Sequence, residues 1–303
     1  MVDLSKLVTE SRNKNTMQLD MMTPLEIASV MNREDKNVVA AVEKVLPQVA
    51  QAIEWCTAAF KEKGRIIYMG AGTSGRLGLL DAVECPPTFG VPPEMVVGLL
   101  AGGYKAFVKA VEGAEDSKTL GQSDLEAIHV TKKDVIIGLA ASGRTPYVIY
   151  GLRYARSIGC KTVAIACNSN SLIGQEAELA IEPVVGAEIL TGSTRLKSGT
   201  AQKMVLNMIS TGSMVGIGKA YENLMVDLMQ TNEKLASRAE NIVMTATGCE
   251  RNAARTALDS VGGSVKTAVA VILLGCSVEE AQKALAKNGG HIRKILPEKA
   301  DNK

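Results

Sequence analysis

The chain has 303 residues, of which 46% are hydrophobic and 22% charged, and its 34 basic and 32 acidic residues give a net charge of +2. This length predicts one large domain and a smaller one. Because the charges are interspersed and form no basic block, nucleic acid and anionic membranes are not expected as partners. No apolar signal segment and no run of about 18 apolar residues occurs, so we expect a cytoplasmic protein without a membrane partner.

Residues that commonly bind metals are sparse and scattered. The two histidines, His129 and His291, stand far apart, and the six cysteines show neither a Cys-x-x-Cys motif nor a metal-ligand spacing. We therefore expect reduced cysteines in the core, no metal site and no serine–histidine triad.

The first predicted elements are helical. Thr23 to Glu26 form a capping box with Pro24 at the first helical position. A longer helical pattern runs from about Glu34 to Lys61, and Pro47 is expected to kink or split it. We assign residues 1–50 to an N-terminal helical segment.

A short buried strand, Ile66–Met69, is followed by the Gly/Thr/Ser turn Gly70–Arg76 and then by a helix. Free N–H groups and the helix dipole at such a turn favour an anion, and we expect a phosphate. The glycine spacing also fits a dinucleotide site, but the next strand ends in Leu99-Leu100-Ala101 without the ribose-binding carboxylate. No Walker A lysine follows, so we expect no nucleotide and no other cofactor. A tight turn with a capped helix remains the plain alternative.

Four further apolar runs that alternate with helical patterns predict strands. They cover Met95–Leu100, Asp134–Ala140, Lys161–Cys167 and Leu179–Glu182. This pattern predicts an α/β fold, a parallel sheet with helices on both faces, in three layers. Because ligands bind at the carboxyl ends of parallel strands, the turns after the first and third strands are expected to share one site.

The last part of the chain is predicted to be helical. A continuous helical pattern from Gly199 to about Thr247 is typical of either a subunit interface or an internal core. Short Ala-rich helices separated by glycines follow, and they predict a small all-α C-terminal domain over 240–303. The intervening residues 51–235 form the predicted α/β domain, and its last helices are the candidates for a subunit interface.

Two features supply candidate chemistry. Clusters of Ser and Thr lie at Thr73–Ser74, Ser142–Thr145 and Thr191–Thr200; each could simply cap a helix, or together they could hold a phosphate monoester without a metal. Glu84 and Glu115 are either solvated or a pair of acid/base groups that exchange protons with a sugar. Glu84 is expected to end its helix before a Cys85-Pro86-Pro87 loop.

Six segments resemble the N-acetylmuramic acid 6-phosphate etherase family, over about residues 5–296. These segments are Gly70–Gly78, Asp81–Thr88, Val111–Asp116, Ala140–Tyr147, Arg195–Lys203 and Asn223–Asp227. One departure is Val83, where the family usually has serine.

The resemblance implies a sugar isomerase (SIS) domain and a phosphosugar substrate, in a homodimer. It also implies a carbon–oxygen lyase that removes lactate from C3 of the sugar and adds water, in the recycling of cell-wall sugars. Glu84 would be the proton donor and Glu115 its acid/base partner. The residues that we expect to bind substrate are Gly72, Thr73, Ser74, Glu112, Ser142, Gly143, Thr145, Ser193, Thr194 and Lys197.

Two other functions use the same type of fold. A regulatory phosphosugar sensor, such as the glucokinase regulator, would share the hydroxyl loops but has no need to keep Glu84 and Glu115 as a pair. A phosphosugar isomerase would also remove a C2 proton but would release no lactate. The etherase is the function that this sequence favours.

Overall fold

A computed structural model describes residues 7–109, 111–228 and 233–297 of the protein. The chain forms two compact units: one holds residues up to Val83 together with Pro93–Ser210, and the other holds Glu84–Pro92 and the residues from Thr211 onward. The domain boundaries expected from the sequence, after residues 50 and 235, stay a prediction.

The first unit begins with two helices, α1 (Pro24–Glu43) and α2 (Leu46–Lys61). The capping box of α1 is formed as expected, because the Thr23 hydroxyl accepts from the Glu26 N–H and the Glu26 carboxylate accepts from the Thr23 N–H. Pro47 lies in the first turn of α2, where its missing N–H costs no helical hydrogen bond. The proline therefore splits the predicted helical region.

A five-stranded parallel sheet in the order β2-β1-β3-β4-β5 forms the centre of the first unit. The predicted strands are confirmed as β1 (Ile66–Gly70), β2 (Val96–Leu100), β3 (Val135–Leu139), β4 (Lys161–Ile165) and β5 (Leu179–Ile181). The helices between and after them are α3 (Gly72–Phe89), α4 (Lys105–Val108), α5 (Leu120–Ala127), α6 (Pro146–Ser157) and α7 (Leu172–Glu176).

Helices cover both faces of the sheet. Tyr68 and Met69, successive residues of β1, point to opposite faces and are both fully buried. On the Tyr68 face, a Cβ on Gly98 of β2 would lie 2.6 Å from the backbone of α3. On the other face, a Cβ on Gly138 of β3 would lie 2.5 Å from a side chain of α6. These two glycines let the helices pack closely, and the predicted three-layer α/β fold is confirmed.

Helix α3 is longer than expected from the sequence. It continues through Pro86 and Pro87 to Phe89, so the predicted loop after Glu84 is wrong. The proline φ angle suits a helix, and the two missing N–H groups fall in its last turns. The helix ends at Gly90, whose left-handed φ of +59° and lack of a Cβ let it lie against the Asp227 carbonyl, 2.2 Å from where a Cβ would be.

The predicted helical stretch from Gly199 to Thr247 is also wrong in part. Helix α8 (Lys197–Gly216) is followed by a two-stranded antiparallel hairpin of β6 (Ala220–Tyr221) and β7 (Leu224–Met225) before α9 (Glu233–Thr247) begins. Glycine at 216 and 218, the latter at φ +78°, favours the break in the helix.

The C-terminal helices of the second unit share one apolar core. They are α9, α10 (Arg251–Ser260), α11 (Val265–Leu274), α12 (Val278–Lys287) and α13 (Ile292–Ile295). A capping box at Ser277 and Glu280 starts α12, and Gly275, at φ +61°, ends α11. The predicted small helices are therefore confirmed.

Among the described residues, no single helix has the length and hydropathy of a membrane span. One sharply bent pair of helices, Arg251–Ser260 with Val265–Leu274, has a suitable length and composition.

Candidate active site

The two Ser/Thr turns follow neighbouring strands that end at the same edge of the sheet. Gly70, the last residue of β1, is paired with Leu139, the last residue of β3. In the order β2-β1-β3-β4-β5 the chain turns to opposite sides after β1 and β3, and the crevice between two such strands is where open α/β sheets bind ligands. The structure therefore brings the two predicted phosphate loops together.

The loop after β1 begins α3 with free backbone donors. A Cβ on Gly75 would lie 2.4 Å from the Gly70 carbonyl oxygen, so only glycine lets the helix start this close to its strand. The first N–H groups of a helix have no carbonyl one turn earlier to bind. Gly72, Thr73 and Ser74 contribute those donors, and anions favour such a position.

Ser74 is fixed by a contact that the sequence did not reveal. Its buried hydroxyl donates to Oε1 of Gln202, a fully buried residue of α8, at 2.9 Å. The Gln202 Nε2 and the hydroxyl of Ser198, one turn earlier on α8, are buried and have no hydrogen-bond partner among the residues that the structure describes. In the sequence, Gln202 lies four residues after Ser198, on the same face of the helix, and within the segment Arg195–Lys203 that carries the family resemblance.

The loop after β3 has a backbone that requires glycine. Gly143 has a φ of +75°, and a Cβ there would lie 2.3 Å from the Ser171 Cβ. Its N–H donates to the Ala140 carbonyl and its own carbonyl accepts from the Ile173 N–H, both at 2.9 Å. These bonds hold the loop in the tight turn that leads to α6.

Two hydroxyls of this loop are predicted site residues. Thr145 is buried and precedes α6 at the N-cap position, but its side chain makes no capping hydrogen bond. Ser142 is half-buried, and its carbonyl oxygen accepts from the Asn168 side chain at 3.3 Å. Both side chains are therefore held at the β3 end by backbone contacts and burial.

Glu115 lies against the start of α6. Its carbonyl oxygen accepts from the Tyr147 N–H at 3.1 Å, so this turn is tied to the helix that Thr145 begins. Lost hydration, and then the negative charge of Asp116, raise the pKa of the Glu115 carboxyl. A carboxyl with a raised pKa is a better proton carrier near neutral pH. Glu112, in the same turn region, is exposed.

Thr194 also lies near the β1 loop. Its carbonyl oxygen accepts from the Gly199 N–H at 3.0 Å, and a Cβ on Gly199 would lie 3.6 Å from the Thr73 Cγ2. Ser193, the preceding residue, is half-buried.

Glu84 belongs to the second unit. Its side chain is exposed on α3, 12 residues after Gly72 and within the stretch Glu84–Pro92 that clusters with the C-terminal part of the chain. The packing of Gly90 on Asp227 fixes the end of that stretch.

Lys197 makes a buried ion pair rather than a contact with the two loops. Its Nζ donates to Glu34 Oε2 at 3.0 Å, and both side chains are more than nine-tenths buried. Burial raises the pKa of Glu34, but hydrogen bonds from Asn15, Lys197 and Asn13 outweigh it and lower that pKa. The sequence showed no sign of this pairing, because Glu34 lies 163 positions away.

The start of α8 is closed to anions. The Glu188 carboxylate accepts from the Lys197 N–H at 3.0 Å and from the Ser198 N–H at 2.9 Å. A carboxylate in this position satisfies the helix donors that a phosphate would need.

No group of three or more His, Cys, Asp and Glu side chains able to hold a metal ion occurs in the parts of the chain that the structure describes.

Comparisons with known proteins agree with this geometry. Residues 48–156 match the model of the glucokinase regulatory protein N-terminal SIS domain, and residues 117–211 match that of the SIS domain. The chain is 59% identical over 295 residues to the N-acetylmuramic acid 6-phosphate etherase of Serratia proteamaculans (strain 568), covering 97% of this chain and 99% of the relative. It is 56% identical over 295 residues to the enzyme of the same name from Halalkalibacterium halodurans, with coverage of 97% and 99%. The chain belongs to the N-acetylmuramic acid 6-phosphate etherase family.

The family resemblance found in the sequence, with its SIS domain, is thus confirmed. Among solved structures, a phosphoheptose isomerase from Francisella tularensis aligns at a TM-score of 0.48 with 14% identity, covering 63% of this chain and 98% of that one.

Proposed function

We propose that this protein is an N-acetylmuramic acid 6-phosphate etherase, a carbon–oxygen lyase. It cleaves the D-lactyl ether at C3 of N-acetylmuramic acid 6-phosphate and gives N-acetylglucosamine 6-phosphate and D-lactate. The observation that carries the proposal is the identity of 53–59% with proteins of this name along nearly the whole chain.

In this proposal the two phosphate loops, which follow β1 and β3, hold the 6-phosphate. The donors that we assign to the phosphate are the first-turn N–H groups of α3 and the hydroxyls of Thr73, Ser142 and Thr145, in the loops that follow β1 and β3. Donors of this kind bind a phosphate dianion without a metal. Binding energy from the phosphate, which does not react, then positions C2 and C3 for the chemistry.

The reaction follows from the chemistry of an open-chain sugar. Ring opening exposes the C1 aldehyde, which acidifies the C2 proton. A base removes that proton, the C3–O bond breaks, and lactate leaves as its oxygen gains a proton. Water then adds at C3 of the unsaturated aldehyde, and C2 regains a proton, so atoms and charge balance.

Two carboxyl groups suffice for these proton transfers. We assign Glu84 as the acid that protonates the departing lactate oxygen and Glu115 as the base at C2. The raised pKa of Glu115 supports this role, because a carboxylate that binds its proton more tightly is a stronger base. The opposite assignment, with Glu115 as the acid and Glu84 as the base, would use the same two groups.

We also propose that the enzyme acts as a homodimer in the cytoplasm. Helix α1 exposes the large apolar side chains of Leu25, at 77%, and Val39, at 61%, which a second copy could cover. A phosphorylated sugar is charged and does not cross membranes unaided, which supports an intracellular site of action. Light scattering on the purified protein measures the subunit number, and a monomeric mass would contradict the dimer.

The deciding experiment incubates the purified protein with N-acetylmuramic acid 6-phosphate and EDTA and assays D-lactate. We expect lactate from the wild type and at least a 100-fold loss in Glu84→Gln and in Glu115→Gln, the range for general acid–base groups. Glu94→Gln, which changes an exposed glutamate of the first unit, is the matched control. If the protein binds the sugar phosphate but releases no lactate, it is a phosphosugar sensor and not the enzyme.

Isotopes test the elimination itself. A reaction in D2O with 18O-labelled water should place deuterium at C2 and 18O at C3 of the N-acetylglucosamine 6-phosphate. Label in the lactate and none at C3 would instead indicate cleavage on the lactate side of the ether oxygen.

A further inference from the structure

A polar cavity lies in the first unit, and neither of the two phosphate loops lines it. It has a volume of about 620 Å³ and is bordered by the segment 12–15, by α1, by residues 184–187 and by Lys197. Ligand pockets commonly have volumes of about 300–1,000 Å³, so a small molecule fits this space.

The lining carries an excess of positive charge. Arg12, Lys14 and Lys44 border the cavity, and Lys197 and Glu34 complete the charged set, which leaves a net charge of +3. Arg12, Lys14 and Lys44 are exposed, and none of them makes an ion pair or side-chain hydrogen bond with another residue that the structure describes. These three residues are the cationic rim of the cavity.

The buried ammonium group of Lys197, which lines the cavity, has more N–H donors than acceptors among the described residues. An ammonium group has three N–H donors, and Lys197 Nζ has one acceptor among the described residues, Glu34 Oε2. Glu34 in turn also accepts from Asn13 and Asn15, so its two oxygens are already engaged. A ligand with anionic oxygens would supply the acceptors that Lys197 lacks and would neutralise the rim.

We propose that this cavity is a binding site for a small molecule with two or more negative charges, such as a phosphorylated metabolite, separate from the sugar-phosphate site. The segment around Asn13 that closes one side is fixed, because the Asn13 side chain also donates to the Ala187 carbonyl and the Thr16 hydroxyl donates to the Ile189 carbonyl. The site is therefore built from chain that is already held in place, and binding needs little ordering of the protein.

The test is calorimetric titration of the full-length protein with inorganic pyrophosphate at about 0.15 M salt, where long-range charge effects are screened. The rim variant is Arg12→Ser/Lys14→Ser/Lys44→Ser. A control variant of equal charge, Lys61→Ser/Lys132→Ser/Lys287→Ser, changes exposed lysines elsewhere. A loop variant, Thr73→Ala/Ser142→Ala, weakens the sugar-phosphate site instead. Melting temperatures without pyrophosphate check that all three variants fold.

The proposal expects one pyrophosphate per chain at the cavity, in addition to any that binds at the phosphate loops, and about a tenfold weaker affinity at the cavity in the rim variant, because each exposed charge contributes a factor of roughly 1.5 to 5. The lysine control and the loop variant should keep the wild-type affinity at the cavity. The proposal is overturned if the wild type binds no pyrophosphate. It is also overturned if either the control or the loop variant loses as much affinity as the rim variant.

Discussion

The backbone N–H of Tyr147 donates to the carbonyl oxygen of Glu115 at 3.1 Å. This bond joins the turn that carries a candidate acid/base group to α6, the helix that begins after the β3 loop. Glu115 is thus placed by the backbone of α6 and not by its own side chain, which leaves its carboxyl group for chemistry.

Removing the charge of Asp116 should shift the pH dependence of the reaction. Lost hydration and Asp116 raise the pKa of Glu115 above its ordinary value of 4.5. As a base Glu115 must be ionised, so activity falls as the pH drops through the raised pKa. Asp116→Asn lowers that pKa, and the acid limb of kcat/KM should move to lower pH. An unmoved acid limb, with Glu94→Gln as the reference, would exclude Glu115 as its origin.

Ser74 and Gln202 should show coupled contributions to stability. Ser74→Ala leaves the buried Oε1 of Gln202 without its donor, which costs about 1–3 kcal/mol in the free energy of unfolding. Gln202→Met removes that acceptor together with an Nε2 that has no hydrogen-bond partner in the described part of the chain. The double variant should therefore be more stable than the sum of the single changes predicts, by about 1 kcal/mol. Urea titrations of the four proteins measure the coupling, and strict additivity would contradict it.

The ion pair of Glu34 and Lys197 should be sensitive to replacement of one partner. Lys197→Met leaves a buried carboxylate without its cation, and we expect the free energy of unfolding to fall by about 3–5 kcal/mol. Adding Glu34→Gln to this variant should recover part of the loss, because the unpaired charge disappears. Denaturant titration compares the two, and an equal or larger loss in the double variant would argue against a charge effect.

Acid should remove the contribution of the same pair. The pKa of Glu34 is lowered on folding, so its stabilisation is fully present above the ordinary value of 4.5 and is lost as the pH falls through the lower pKa of the folded state. The Glu34→Gln/Lys197→Met variant lacks this titration. Its unfolding free energy should therefore decline less steeply below pH 4.5 than that of the wild type, and parallel curves would contradict the assignment.

Gly143→Ala should damage the β3 loop more than its backbone angle alone explains. Gly143 and Gly248 have φ values of +75° and +74°, but only Gly143 has a neighbour that a Cβ would strike, the Ser171 Cβ at 2.3 Å. Gly248→Ala therefore measures the cost of the left-handed backbone, roughly 1–2 kcal/mol. We expect a larger loss of stability and a higher KM in Gly143→Ala. Equal losses in both variants would show that the loop can move away from Ser171.

The parts of the fold that could be predicted from the sequence depend on local patterns. The strands are runs of apolar residues between glycines and polar turns, and burial on both faces makes such runs continuous. The capping boxes at Thr23 and Ser277 need only four consecutive residues, and both form. The turns after β1 and β3 were likewise readable from Gly, Ser and Thr placed directly after strands, and phosphate binding by these turns stays a prediction.

The parts that were missed depend on distant contacts. Pro86 and Pro87 suggested a loop, yet the helix continues to Gly90, which packs on Asp227 137 residues later in the chain. The ion pair of Lys197 with Glu34 spans 163 residues. In both contacts the residues next to each partner along the sequence give no indication of the pairing, because only the folded chain brings the two partners together.

The strand order has a consequence for how the sheet is built during synthesis. β1 and β2 leave the ribosome first and can pair with each other; β3 is then added at the free edge of β1, β4 at that of β3 and β5 at that of β4. No later strand has to be inserted between two that are already paired. The crevice between β1 and β3 can therefore form once residue 139 has emerged, before the C-terminal helices have been translated.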